Sequence, residues 1–122
     1  MSEALGRTVK RFERGDTKND WTHVETLPVG TMADNLIWDG DDYLLVGAHP
    51  KAFTFLAHVK DPEALSPSQV IRVDVSTSPM TYETIFMSDG SDISGSSVGA
   101  RLDGELLIGS VFEPHILRCE KN

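Results

Sequence analysis

Residues 35–48, NLIWDGDDYLLVGA, carry the clearest signal for the fold. Two apolar segments, Asn35 to Trp38 and Tyr43 to Ala48, flank the polar sequence Asp39-Gly40-Asp41-Asp42. An Asp-Gly pair tolerates the positive φ angle that a tight hairpin turn requires, so this stretch predicts two antiparallel strands. Short apolar segments separated by turn residues recur along the rest of the chain, and the sequence therefore predicts an all-β fold.

The predicted strands fall into groups that resemble antiparallel β-propeller blades. Four strands are predicted from Asn35 to Met87, three from Val98 to Cys119, and a hairpin from Thr8 to Leu27. A closed propeller needs at least four blades, whereas 122 residues hold about two and a half. We expect one partial propeller domain over 1–122, with the end of one blade at 1–30, a complete blade at 31–92, and a last, incomplete blade at 93–122.

Two further predictions concern local structure. Between residues 52 and 67, Phe53, Leu56 and Val59 fall at helical spacing before Asp61-Pro62, so we expect a loop that carries one or two helical turns. The two tryptophans and the five phenylalanines are interpreted as core residues rather than as platforms for stacked bases.

Charge and hydropathy exclude several classes of partner. The chain has 11 Lys plus Arg against 19 Asp plus Glu, a formal net charge of -8, which repels phosphate backbones and makes nucleic acid a poor partner. No apolar run approaches the roughly 18 residues of a transmembrane helix, and the first fifteen residues contain no apolar segment of an export signal. The sequence predicts no particular compartment.

A serine-hydrolase pattern is present in the sequence but lacks its structural setting. Residues 95–99, GSSVG, satisfy G-x-S-x-G around Ser97, and Asp103 and His115 follow in the order of an α/β-hydrolase triad. That motif requires a strand before the serine and a helix after it, whereas Asp103-Gly104 predicts a hairpin inside the required helix. We therefore interpret this stretch as a glycine-flanked strand and predict no catalytic residue here.

Asp34 and Asn35 offer two oxygen ligands of the kind that Ca²⁺ prefers. Adjacent residues of a regular strand point to opposite faces, so both side chains reach one ion only where the pleat is interrupted, as expected near Ala33 to Leu36. A turn or capping role is the alternative for this pair. His49, at the end of a strand and before Pro50, either faces a ligand or is hydrogen-bonded within a loop.

Five stretches together resemble the C-terminal part of the paraoxonase/arylesterase family. They are SEALGRTV at 2–9, ADNL at 33–36, VGAHP at 46–50, SQVIRV at 68–73 and ELLIGSVF at 105–112. The resemblance implies a six-bladed β-propeller whose central tunnel holds two calcium ions and hydrolyses small-molecule lactones and aryl esters. It also implies that Asp34 and Asn35 ligate the catalytic calcium, that His49 lies near the substrate pocket, and that Val111 and Phe112 help to form its wall.

The family's histidine dyad and its other calcium ligands match no residues here, because they belong to earlier blades. We therefore expect a fragment of a calcium-dependent arylesterase or lactonase with an incomplete Ca²⁺ site and little activity alone. The alternative is a non-catalytic domain that self-associates through its exposed blade edges. Units of two blades could, for example, close into a three-fold ring of six.

Overall fold

The computed structural model describes residues 1–120, in which ten strands form three antiparallel sheets. Sheet 1 contains β1 (Ser2–Glu3), β2 (Thr8–Arg14) and β3 (Trp21–Pro28). Sheet 2 contains β4 (Met32–Asp39), β5 (Tyr43–His49), β6 (Ser68–Asp74) and β7 (Thr81–Ser88). Sheet 3 contains β8 (Ser96–Leu102), β9 (Glu105–Ser110) and β10 (Leu117–Cys119). Helix α1 (Ala52–Lys60) connects β5 to β6.

The architecture confirms the predicted all-β class and the antiparallel blade arrangement. The four strands of sheet 2 are hydrogen-bonded in chain order, and Asp39 pairs with Tyr43 across the predicted hairpin turn. Gly40 adopts a φ of 75°, a conformation that glycine reaches without a steric penalty. The three sheets contain three, four and three strands. A complete blade has four strands, so ten strands correspond to about two and a half blades.

Some local predictions were wrong. Helix α1 has nine residues, about two and a half turns, because no proline interrupts the chain between Pro50 and Pro62. The two-residue strand β1 carries too short an apolar pattern to be predicted. The apolar run predicts a strand from Leu106 to Val111, whereas β9 ends at Ser110. The Ser110 hydroxyl accepts bonds from the backbone N–H groups of Phe112 and Glu113, both at 3.4 Å, and turns the chain.

The interpretation of the large aromatic side chains as core was also wrong for several of them. Trp21 and Trp38 are 57% and 63% exposed, and Phe53 is 89% exposed. Trp21 begins β3, and Trp38 lies beside the hairpin turn, so both stand at the ends of their sheets. No helix within residues 1–120 has the length and apolar character needed to cross a bilayer.

Sheet 2 is buried on both of its faces. Leu45 and Val46 are neighbours in β5 and point to opposite sides of the sheet, and both are fully buried. Burial on both faces explains why β5 reads as a nearly continuous apolar run. Between sheets 1 and 2 the buried cluster comprises Val9, Val29, Ala33, Val46, Ile71, Val73 and Met80. Between sheets 2 and 3 it comprises Leu45, Val70, Ile93, Leu106 and Ile108.

A network of buried serines joins sheets 2 and 3. The Ser96 hydroxyl donates to the carbonyl oxygens of Ala48 and Gln69, both at 3.1 Å, and accepts the backbone N–H of Gln69 at 2.9 Å. In return, the Ser68 hydroxyl accepts the Ser96 N–H at 3.0 Å and donates to the Ile93 carbonyl oxygen at 2.6 Å. These bonds satisfy backbone groups that packing removes from water, and they fix the position of β8.

Replacing Ser96 with Ala should therefore destabilise the fold. The substitution leaves the buried Gln69 N–H without its acceptor, and an unsatisfied buried donor costs about 1–3 kcal/mol. Urea unfolding should show that loss in the free energy of unfolding. The control Ser76→Ala removes an exposed hydroxyl bonded only to Asp74 and should shift the midpoint little. Equal effects of the two substitutions would contradict a structural role for the serine network.

Candidate functional site

A β-bulge in β4 determines where Asp34 and Asn35 lie. The register shifts between Ala33 and Leu36, so that both Asp34 and Asn35 stand opposite the single residue Gly47 of β5. The sequence predicted an interruption of the pleat at this place, and the structure confirms it. In a regular strand the side chains of Asp34 and Asn35 would point to opposite faces, and the bulge removes that restriction.

The bulge lies where the three sheets meet, at a border that we call the shared edge and that consists of the edge strands β1, β4 and β8. The Asn35 side-chain Nδ2 donates to the Ser97 carbonyl oxygen at 3.1 Å, and the Ser2 hydroxyl donates to the Asp34 carbonyl oxygen at 2.5 Å. A Cβ on Gly47 would overlap the backbone of β8, so glycine permits this close approach. Because the Asn35 amide nitrogen is engaged, its carbonyl oxygen is left to accept other bonds.

His49 lies beside Asp34, at the end of β5. Its side chain is 3% exposed, its Nε2 atom is 3.4 Å from Asp34 Oδ2, and neither ring nitrogen has a hydrogen-bond partner within the described chain. The ring stacks on Phe55 of α1, with the centroids 3.6 Å apart. Burial lowers the pKa of His49; the Asp34 carboxylate offsets part of this effect, and nearby His58 adds to it. His49 is therefore a neutral imidazole at neutral pH.

Helix α1 contacts both His49 and Phe112. Its side chain His58 is 1% exposed and contacts the Phe112 ring edge to face, with centroids 5.2 Å apart. The His58 Nδ1 atom is 2.6 Å from the Ala64 carbonyl oxygen, so Nδ1 carries the proton. One helix thus packs Phe55 on His49 and His58 on Phe112, and it brings two of the predicted substrate-side residues to the same end of the molecule.

The structure places the remaining predicted residue, Val111, next to Phe112 in the turn after β9. Val111 and Phe112 are 45% and 41% exposed, and the Val111 N–H donates to the Gly95 carbonyl oxygen at 3.3 Å. A ligand could therefore contact both side chains.

Sequence reasoning missed the roles of Phe55 and His58. The apolar positions Phe53, Leu56 and Val59 have helical spacing, but all three are exposed. The inward face of α1 is the one that carries Phe55 and His58, which are three residues apart. The spacing of Phe55 and His58 could have indicated this inward face. The three apolar residues at helical spacing gave a stronger pattern and pointed to the wrong face.

The structure does not assemble a serine-hydrolase triad from Ser97, Asp103 and His115. Ser97 lies in β8, which continues to Leu102 without a following helix. Asp103 is in the hairpin turn at the other end of this strand, about 20 Å away at roughly 3.3 Å per residue. His115 lies near Glu113, with Nδ1 3.8 Å from Oε2, and not in a base-and-orienter arrangement with Ser97.

Ser97 should accordingly not react as a nucleophile. We expect a fluorophosphonate probe to leave the chain unlabelled in intact-mass spectrometry, because no base among the described residues is positioned to remove the Ser97 proton. Stoichiometric labelling that disappears in Ser97→Ala, but persists in the neighbouring Ser91→Ala, would contradict this assignment.

Asp34 and Asn35 carry the type of oxygen atom that Ca²⁺ binds, but two residues supply too few ligands for a complete site. Asp34 and Asn35 supply oxygen atoms, whereas Ca²⁺ takes about six to eight of them. Within residues 1–120, no group of three or more His, Cys, Asp or Glu side chains could hold a metal ion. Asp34 and Asn35 by themselves therefore supply fewer oxygen ligands than a calcium site takes.

Burial of His49 predicts a loss of stability in acid. The pKa of His49 is lower in the folded state than in the unfolded state. As the pH falls below the unfolded pKa, the unfolded chain takes up a proton that the folded chain does not. The free energy of unfolding therefore decreases until the pH reaches the folded pKa. The urea midpoint should fall between pH 7.5 and 5.0, and it should fall less in His49→Phe. The control Phe53→Leu, at an 89% exposed ring, should retain the wild-type pH dependence. An unchanged pH dependence in His49→Phe would contradict a buried neutral imidazole.

Comparisons with a family model and with curated proteins give consistent matches. The arylesterase family model matches residues 1–121. The chain is 37% identical over 105 residues to serum paraoxonase/arylesterase 2 of Gallus gallus, a match that covers 83% of this chain and 29% of that protein. It is 34% identical over 124 residues to serum paraoxonase/lactonase 3 of Homo sapiens, with 98% of this chain and 33% of that protein covered.

The chain therefore spans about a third of the length of the curated relatives that it matches. Human serum paraoxonase/arylesterase 2 is similar at 33% identity over 98% of this chain. The coverage by the family model and the level of identity establish membership: the chain belongs to the arylesterase family.

Proposed function

We propose that this chain supplies one side of a calcium-dependent site that hydrolyses small-molecule aryl esters or lactones. The observation that carries the proposal is the bulge in β4, which sets the oxygen donors Asp34 and Asn35 side by side at the shared edge, next to buried His49. The names arylesterase and lactonase of the relatives support the substrate class.

Each residue would have a distinct part in that site. Asp34 and Asn35 would hold Ca²⁺, which when bound polarises a carbonyl and stabilises the negative charge that develops on its oxygen. His49 is neutral and would border the substrate without adding a competing positive charge. Val111 and Phe112, on the same side as α1, would give the pocket an apolar wall that excludes water.

One chain at high dilution should nevertheless bind Ca²⁺ weakly. Two protein donors leave the ion largely hydrated, so its field is neither shielded from water nor aimed at a carbonyl oxygen. Residues 1–120 also contain no positioned base to activate water, since His49 has its nitrogens buried and the dyad implied by the family resemblance matches no residue here.

We therefore expect a calcium Kd of about 1 mM for the single chain and hydrolysis of phenyl acetate and γ-butyrolactone near the uncatalysed rate. Asp34→Ala should weaken binding by about tenfold or more, whereas Asp41→Ala, which removes an exposed turn carboxylate, should not. Calorimetry at low micromolar chain concentration or below measures the calcium Kd. A rate assay with and without calcium measures the hydrolysis. Equal calcium affinity in wild type and Asp34→Ala would overturn the metal-binding role.

The second candidate is a non-catalytic domain that self-associates. Exposed Trp21, Trp38 and Leu102 favour it, because large apolar side chains left in contact with water promote association. Association that is unaffected by Ca²⁺ and is accompanied by no calcium binding would select this candidate.

A further inference from the structure

Helix α1 is attached to the three sheets by few side chains. Of its nine residues only His58 is buried, and neither of the two apolar clusters between the sheets contains a residue of α1. Among the hydrogen bonds of residues 1–120, none joins α1 to a strand. The inward contacts of the helix are therefore the stacking of Phe55 on His49 and the edge-to-face contact of His58 with Phe112.

The segment 52–64, which contains α1 and the turn after it, lies between two fixed points of the chain. On one side, His49 ends β5 within sheet 2. On the other side, the Ser66 N–H donates to the Ser94 hydroxyl oxygen at 2.6 Å, and the Ser66 carbonyl oxygen accepts the Gly95 N–H at 3.1 Å. The chain is thus fixed just before and just after this segment.

The turn after α1 belongs to the same unit as the helix. His58 Nδ1 donates to the Ala64 carbonyl oxygen at 2.6 Å, and the Ala64 N–H donates to the Asp61 carbonyl oxygen at 2.9 Å. At the helix ends, Lys51 and Asp61 have extended backbone, with φ angles of -121° and -141°. Loop residues at the ends of an element are the positions that absorb the φ and ψ changes when it moves.

The helix covers groups that have no partner beneath it. Both ring nitrogens of His49 and Nε2 of His58 are buried and lack a hydrogen-bond partner within the described chain. Gly95 provides space for the covered position, because a Cβ there would lie 2.9 Å from Cδ2 of His58 and 3.6 Å from Cε2 of Phe55. A molecule that is to contact the covered face of the His49 ring reaches it only when Phe55 moves away.

We propose that residues 52–64 form a lid that opens by local unfolding and admits a small-molecule ester or lactone to His49. A helix of nine residues is too short to be stable in water without packing, so α1 unfolds once Phe55 and His58 leave their contacts. Opening also lets water or a ligand bond the buried imidazole nitrogens. Both apolar clusters stay intact, because neither contains a lid residue. The identity of the admitted molecule rests on the function proposed above, whereas the opening does not.

Amide hydrogen exchange tests whether the lid opens independently of the sheets. Ile71→Val, in the cluster between sheets 1 and 2, should raise the globally unfolded population about 2- to 12-fold, a factor that urea unfolding measures. Exchange at Val46 in sheet 2 should accelerate by that factor, whereas exchange from Ala57 to Lys60 should keep its wild-type rate. Equal acceleration at both places would overturn the lid, because α1 would then open only with the whole chain.

Acylation of His49 by diethyl pyrocarbonate, which reacts with accessible neutral imidazoles, tests whether opening exposes this ring. His58→Ala leaves Phe55 in place but removes the bond to Ala64 and the contact with Phe112. It should accelerate both His49 acylation and α1 exchange about fivefold or more, and sheet 2 exchange by less. The matched control Phe53→Ala, at an 89% exposed ring, should leave these rates unchanged.

A static cover predicts a different result. If Phe55 shielded His49 without moving, His49 would be acylated at the wild-type rate in His58→Ala, and that result would overturn the lid. Acceleration of sheet 2 exchange by the same factor as α1 exchange would also overturn it. Phe55→Leu, which keeps an apolar side chain but removes the stacked ring, provides a second variant and should accelerate His49 acylation as His58→Ala does.

The lid and the proposed function fail separately, because neither exchange nor acylation requires calcium or hydrolysis. If the variants accelerate His49 acylation as expected but Asp34→Ala binds Ca²⁺ as tightly as wild type, the lid stands and the metal-binding role is wrong. If Asp34→Ala loses calcium binding but His58→Ala leaves His49 acylation unchanged, the metal-binding role stands and the lid is wrong.

Discussion

Burial of sheet 2 on both faces is the constraint on which the other features depend. Leu45 and Val46 belong to different clusters, so sheets 1 and 3 must lie on opposite sides of β5. Their edge strands then converge on β4, and β8 comes so close to β5 that Gly47 has no room for a side chain. The bulge lies at this convergence. The candidate site therefore depends on how three sheets pack as well as on the two residues that carry its oxygen atoms.

Polar groups set the register of that packing. Buried serine hydroxyls form hydrogen bonds with backbone groups of the neighbouring sheet. Asp39 Oδ2 accepts hydrogen bonds from Nε of Arg72 at 3.2 Å and from Nε of Arg101 at 3.1 Å. These two bonds join β4 to β6 and to β8. Apolar clusters alone would tolerate sliding of one sheet over another, because the hydrophobic effect has no direction. Directional bonds across the same interface fix one arrangement and hence the position of Asn35 against Ser97.

The sequence predicted whatever depends on neighbours along the chain. The Asp39-Gly40 turn and the apolar segments on both sides of it predicted the hairpin of sheet 2. The strand entrance at Ala33 to Leu36 indicated where an interrupted pleat would bring two oxygen donors together. Contacts between distant segments could not be predicted in this way. The packing of His58 on Phe112 joins residues 54 positions apart, and the exposure of Trp38 depends on where the neighbouring sheets end.

The central claim is that the bulge presents Asp34 and Asn35 together as the metal-binding part of this chain. Paramagnetic line broadening in two-dimensional NMR spectra tests it most directly, with Mn²⁺ added at substoichiometric amounts as an oxygen-seeking probe. The account predicts that the amide signals of Asp34, Asn35 and Ser97 broaden first and that Ca²⁺ restores them. Broadening that begins instead at the acidic turn around Asp89 and Asp92, with the signals of β4 unchanged, would contradict it.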